Sequence, residues 1–331
     1  MLDGMATVDA LSTGYDALTG GAGLIDRSEA GKLLLTGEQA RDFLDGQVSN
    51  EIASLEAGHG RYATLLTNKG RMLGDLRVLA VGDGAILLVT ERPALQALFD
   101  QVRRGLIGWK AELHKRTLEL GLLSLAGPRA EAVARAAGLP IPGPDEHDVA
   151  VLDAGADGVA GAVARTDLGL DVLPSASRVA EIRAALLAAG AVETSEDAAE
   201  VVRVESGRPR YGRDMDDTVM PEEAGIVDRA VSFKKGCYVG QETVARLHWK
   251  GKPNRHLRGL RPAGPVAPGD AVTLVAEDGS TRAVGTVGTA VTSPRLGPLA
   301  LALLRREAAP GATVLVGADG VRADVVALPF A

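Results

Sequence analysis

The chain has 331 residues, 46% of them hydrophobic and 24% charged, with 36 Lys and Arg against 43 Asp and Glu. These fractions exclude a collagen-like or largely disordered polypeptide, and the length suits two or three compact domains. A net charge of −7 argues against general nucleic-acid binding, and the single cysteine, Cys237, excludes an internal disulfide or a self-contained four-thiolate metal or iron–sulfur site.

Aromatic residues make up only 3% of the chain, so the core must be built from Ala, Val and Leu. Residues 1–19 lack the basic-then-apolar pattern of a targeting segment, and the longest apolar run, at 184–189, is far short of a membrane span. A cytoplasmic, soluble protein without membrane association is expected. The first strand is expected at 32–36, followed by a helix carrying Ala40, Phe43 and Leu44 at helical spacing. Residues 62–67 and 72–81 read as strands flanking the turn Asn68-Lys69-Gly70, with another strand at 85–90. Pro93 opens a helix running to about 107.

A second strand–Gly–helix unit follows, with a strand at 122–125, Gly127-Pro128, and an Ala-rich helix to Gly138. Pro140, Pro142 and Pro144 mark a surface connection. Strands are then expected near 149–152, 158–165 and 170–173, and a helix at 177–189. Two such units suit two α+β halves, each a sheet with helices on one face. Beyond about residue 252 the texture changes. Short Val/Thr/Leu runs at 257–260, 271–275, 283–292, 299–304, 313–316 and 321–326 predict a small antiparallel barrel or sandwich.

Residues 234–258 stand apart. They carry seven Lys or Arg against one acid, Glu242, and include four of the eight lysines together with the only cysteine. Such a run can be no more than a solvated face, and a lone cysteine can be a small buried hydrophobe. Here Lys234 and Lys235 precede Cys237 while Gly236 and Gly240 bracket it. Neighbouring ammonium groups favour the thiolate, the reactive form. Lys235 suits a carboxylate or phosphate partner. Glu205, at the end of an amphipathic stretch, is either a surface acid paired with a nearby Arg or a carboxylate accepting two N–H bonds from an amino-substituted heterocycle. The five histidines are scattered, and no zinc, Walker or dinucleotide motif is present.

The run Lys235-Gly236-Cys237-Tyr238-Val239-Gly240-Gln241-Glu242, continuing to Arg246, resembles the signature of YgfZ-type folate-binding proteins, relatives of the glycine-cleavage aminomethyltransferase, or T-protein. The resemblance extends to Thr36-Gly37 through Leu44, to Tyr62–Val78 of the hairpin, and to Arg203-Val204-Glu205-Ser206-Gly207. It implies an α+β fold, a GcvT-like ring of two ferredoxin-like α+β domains plus a C-terminal antiparallel β-barrel. The α+β domains would interleave over 1–252, the central one at about 50–115, and the barrel would occupy 253–331.

The cofactor implied is tetrahydrofolate or a derivative. Glu205 would meet the pterin's amino edge and Tyr62 would lie near the folate, with Lys235, Tyr238, Gln241 and Arg246 as further contacts. Two departures separate the chain from classical aminomethyltransferases. Their paired hairpin acids read Gly74-Asp75 here, leaving Asp75 as the candidate acid–base group, and they lack a cysteine at position 237. The YgfZ branch implies support of iron–sulfur enzymes or cluster assembly proteins as partners, among them tRNA-modifying enzymes, with Cys237 as the functional thiol. That thiol would donate a ligand to a shared cluster, relay a thiol-bound intermediate or sense oxidation. The alternative is a folate-dependent aminomethyltransferase or other one-carbon transferase. No resident metal and no direct nucleic-acid contact are expected, and a monomer is the default.

Overall fold

The computed structural model describes residues 2–155, 160–275 and 280–330, with side chains from residue 11 onward, and it turns the apolar run at 32–36 into the strand Gly31–Thr36. This strand is almost wholly buried because it is interior to its sheet, pairing antiparallel with Ala85–Thr90 on one side and Glu112–Lys115 on the other. The five-stranded sheet runs in the order Gly60–Leu66, Met72–Gly82, Ala85–Thr90, Gly31–Thr36, Glu112–Lys115. Met72–Gly82 alternates buried and half-buried residues over its first half, the period of a strand with one covered face.

Pro93 sits in the first turn of the 3₁₀ segment Arg92–Ala94, which leads into the helix Leu95–Gly105. That helix buries Leu98 and Val102, one turn apart, and ends in Arg103 and Arg104, whose charges complement the helix dipole. It crosses the sheet so closely that a Cβ added at Gly74 would lie 2.5 Å from Leu98 Cδ1 and 2.6 Å from Ala94 Cβ. An acidic side chain at position 74 has no room in this packing.

A six-stranded sheet runs Val192–Glu193, Gly23–Asp26, Leu123–Ala126, Gly169–Leu173, Gly161–Arg165, Val149–Leu152. Its pairings are antiparallel except that between the first two strands, which is parallel. One face packs Leu125, Val163 and Val172 under the helices Ala130–Ala136 and Val179–Ala188. Alternate residues on the other face, Ala162, Ala164 and Leu173, share a core with Leu79, Leu87 and Val89 of the five-stranded sheet. Burying each Val or Leu there contributes roughly 1.5–3 kcal/mol. The Arg77–Asp171 ion pair, at 2.5 Å, ties the two sheets together.

The C-terminal strands close into a six-stranded antiparallel barrel in the order Arg255–Pro262, Gly297–Arg305, Thr281–Ser293, Ala271–Val275, Thr313–Val316, Val321–Val326. Its interior holds Leu260, Val272, Val284, Ala302, Val314 and Val325. Closure leaves no unpaired sheet edge, and register shifts after Val272 and Val287 supply the bends that closure needs.

Several features depart from the sequence reading. A helix, Leu2–Gly20, and the strand Gly23–Asp26 precede the strand expected first, and Glu112–Lys115 adds an unforeseen edge strand. The five-stranded sheet draws Gly31–Thr36 from outside 50–115, so it spans residues 31 to 115. Of the strand expected at 158–165, residues 158 and 159 lie outside the described residues, and the described strand is Gly161–Arg165. The chain divides into two units, one of Met1–Leu66, Leu73–Ala199 and Arg229–Val239, the other of Thr67–Met72, Glu200–Asp228 and Gly240–Ala331. The barrel unit thus recruits segments well before residue 252. A buried network explains part of this: Arg203 pairs with Glu200 at 2.8 Å and Asp214 at 2.7 Å and donates to Thr289 Oγ1 in the barrel at 2.9 Å. Among the described residues, no helix is long and apolar enough to cross a membrane.

Candidate functional site

In the first unit, Tyr62 and Asp75 stand on neighbouring strands of the five-stranded sheet. The Tyr62 hydroxyl donates to Asp75 Oδ2 at 2.6 Å, and Thr90 Oγ1 donates to the Asp75 carbonyl at 2.6 Å. The Tyr62 ring stacks on His147 with centroids 6.3 Å apart, and the Arg229 guanidinium lies 5.2 Å from the ring centroid. His147 is buried and has φ of +76°, a left-handed conformation that costs a non-glycine residue about 1–3 kcal/mol. Burial, followed by the charges of Arg77 and Arg229, pulls its pKa down to about 3, so the ring is neutral at physiological pH. The resemblance places Tyr62 near folate and makes Asp75 an acid–base candidate; their mutual hydrogen bond emerges only in the fold. In the sequence His147 is one of five scattered histidines. The signal for His147 lies in tertiary packing and has no local motif.

The segment Arg229–Val239 belongs to the same unit. Lys235, expected to face a ligand carboxylate, is used differently: its side chain is 1% exposed. The ammonium donates to the carbonyls of Val48 at 2.9 Å and Asn50 at 2.8 Å, also to that of Asp45, and lies 3.1 Å from Asp45 Oδ1. Burial lowers its proton affinity and Asp45 acts to restore it. This ammonium is therefore occupied by the loop at 45–50 and has no surface left for an incoming carboxylate. Cys237, two residues on, is exposed. Tyr238 is buried, with its hydroxyl lacking a hydrogen-bond partner among the described residues, and burial pushes its pKa up to about 12. The Lys235 ammonium lies 5.3 Å from the Tyr238 ring centroid. The signature thus folds as an anchor (Lys235 and Tyr238) presenting an exposed thiol.

The second unit holds the remaining candidates. Glu205 ends the helix Glu196–Glu205 and is buried. Its Oε1 accepts from the Ser293 hydroxyl, Arg295 Nη2 lies 3.5 Å from Oε2, and its carbonyl accepts from the Phe330 N–H at 3.0 Å. Gln241 and Arg246 lie on the helix Gln241–Lys250, Gln241 half-buried and Arg246 exposed. Five residues apart, they do not share a helix face. No group of three or more His, Cys, Asp or Glu that could hold a metal occurs among the described residues.

Comparison with known proteins agrees with this architecture. An aminomethyltransferase from Geobacillus kaustophilus strain HTA426 is 30% identical over 335 residues, covering 96% of this chain and 89% of that protein. One from Corynebacterium jeikeium strain K411 is 26% identical over 359 residues, with coverage of 96% and 89%. The crystal structure of glycine cleavage system aminomethyltransferase T from Bartonella henselae matches with a TM-score of 0.84 at 23% identity, covering 97% of this chain and 89% of that one, a likeness of fold. The family model described as GCVT N-terminal domain matches residues 6–235, and the chain belongs to that family.

Proposed function

We propose that the protein binds a tetrahydrofolate and takes part in one-carbon transfer, with Asp75 as the charge-stabilising carboxylate. The observation that carries this reading is the 2.6 Å contact from the Tyr62 hydroxyl to Asp75 Oδ2. A carboxylate fixed by a phenol in a half-buried site is preorganised to stabilise positive charge developing at an amine as its carbon is transferred, without reorganising at that moment. The names of the relatives support this reading over the iron–sulfur role placed first on the sequence.

The donor set fits the cofactor. Glu205, a buried acceptor-only carboxylate on the helix Glu196–Glu205, is the group assigned to the amino edge of the pterin. Tetrahydrofolate, when bound, would supply the nitrogen that receives the one-carbon unit. The chain's own contributions are the Asp75 charge, the Tyr62 hydroxyl that holds it, and the neutral His147 ring stacked on Tyr62.

A second reading, YgfZ-type support of iron–sulfur enzymes, is favoured by one observation: Cys237 is exposed on a segment anchored through the buried Lys235 ammonium. Two variants separate the readings. For the transferase, Asp75→Asn lowers folate-dependent one-carbon transfer about a hundredfold or more while Cys237→Ser leaves it unchanged. For iron–sulfur support, Cys237→Ser abolishes rescue of iron–sulfur enzyme activity in cells lacking the protein, with folate binding intact. Full transfer activity in Asp75→Asn would refute the role given to that carboxylate.

A further inference from the structure

The barrel unit contains a cleft of about 590 Å³ whose walls include Arg71, Arg255, Arg305, Arg306, Glu223 and Glu307. All six belong to that unit. We propose that this cleft is a binding site for a small polyanion, a molecule carrying two or more phosphate or carboxylate groups. Its volume lies within the roughly 300–1,000 Å³ typical of small-molecule sites.

The charge balance within the cleft supports the assignment. Arg255 is paired: Nε and Nη2 donate to Glu223 at 3.0 and 2.9 Å, and Nη2 also donates to the Thr218 carbonyl at 2.7 Å. Glu307 pairs with Arg282 at 3.4 Å. Both carboxylates of the cleft therefore have partners. The guanidinium groups of Arg71, Arg305 and Arg306 have no hydrogen bond or ion pair among the described residues; the charge of Glu307, itself paired with Arg282, offsets Arg305 and Arg306 at longer range.

The backbone keeps them there at a cost. Arg305 is the direct antiparallel partner of Arg255, and like charges placed opposite one another across a strand pair are destabilising. The Arg306 N–H donates to the Asn254 carbonyl at 3.0 Å, extending the ladder by one residue, so both arginines emerge from a fixed strand end. Arg71 closes the hairpin turn: the Thr67 N–H donates to its carbonyl at 2.8 Å, and its own N–H donates to Thr67 Oγ1 at 3.2 Å. The next N–H, of Met72, is held by the Val219 carbonyl at 2.9 Å. Three guanidinium forks on hydrogen-bonded backbone can pair bidentately with the oxygens of phosphates or carboxylates. The Glu307 carboxyl is held below the usual range first by its own backbone N–H and then by the charges of Arg282, Arg305 and Arg306.

The test is calorimetric titration of the folate-free protein with inorganic pyrophosphate and, separately, with citrate, in magnesium-free buffer of low ionic strength. Four proteins are compared: wild type, Arg71→Gln, the double variant Arg305→Gln/Arg306→Gln, and Arg322→Gln, an exposed barrel arginine outside the cleft. Exposed substitutions of this kind should shift stability by no more than about 0.5 kcal/mol, and thermal melts confirm that each variant is folded. The expected result is saturable binding of at least one titrant, weakened about tenfold or more by Arg71→Gln and by the double variant, and less than about twofold by Arg322→Gln. Tighter pyrophosphate binding assigns the site to phosphates, and tighter citrate binding assigns it to carboxylates. No saturation by either titrant up to about 5 mM, or equal weakening by Arg322→Gln, overturns the proposal. Because no folate is present, this outcome is independent of the proposed function.

Discussion

Two buried lysines show how the same side chain takes opposite energetic roles. Lys235 has three carbonyls and Asp45 around its ammonium. Replacing it with Met strands those acceptors, and Lys235→Met should destabilise the fold by about 2–4 kcal/mol in urea denaturation. Lys32 is fully buried, its ammonium making one hydrogen bond among the described residues, to the Ser28 carbonyl at 2.7 Å, and burial lowers its pKa to about 8. The unfolded chain, with Lys32 near 10.5, binds more protons than the folded one between pH 8 and 10.5. Stability contributed by this residue therefore rises with pH across that window, and the full cost is present below it. Lys32→Met should raise the melting temperature at pH 7, by the equivalent of about 2–3 kcal/mol, and flatten that rise. An unchanged melting profile from pH 7 to 10.5 would refute this. The sequence marked Lys235 as unusual from lysine scarcity and flanking glycines, but it could not show which way the ammonium points. The carbonyls it meets lie some 185 residues away.

At the scale of the element, what was legible depended on periodicity. The hairpin strands, the strand at Ala85–Thr90 and most of the barrel strands emerged from apolar alternation and turn residues within a residue or two of their observed bounds. The helix Leu2–Gly20 did not, because its sequence carries no regular apolar period, and Gly23–Asp26 is too short to carry one. Gly74 illustrates a site feature settled by packing. In the sequence it is a missing acid, while in the fold it is the contact under Ala94 and Leu98. Gly74→Asp should therefore fail to restore a catalytic pair. It should destabilise the protein by more than about 2 kcal/mol through overpacking and a buried carboxylate, measured by chemical denaturation. A stable, more active variant would contradict that account.

For the whole molecule, the barrel was legible because strand-and-turn texture is local. The membership of each unit was not. The segments Glu200–Asp228 and Gly240–Lys250 join the barrel through contacts such as Arg203 with Thr289, which no window of sequence contains. Likewise Tyr62, Asp75 and Glu205 were recognisable as motif residues, whereas the Tyr62–Asp75 hydrogen bond and the His147 stack required the fold. The central claim is that the chain binds tetrahydrofolate through Glu205 for one-carbon transfer. Its most direct test is titration of the purified protein with tetrahydrofolate beside the same titration of Glu205→Ala. The account predicts saturable binding by the wild type, weakened about tenfold or more in the variant as charge-assisted hydrogen bonds to the pterin are lost. No binding by the wild type, or equal affinity in both proteins, would contradict it.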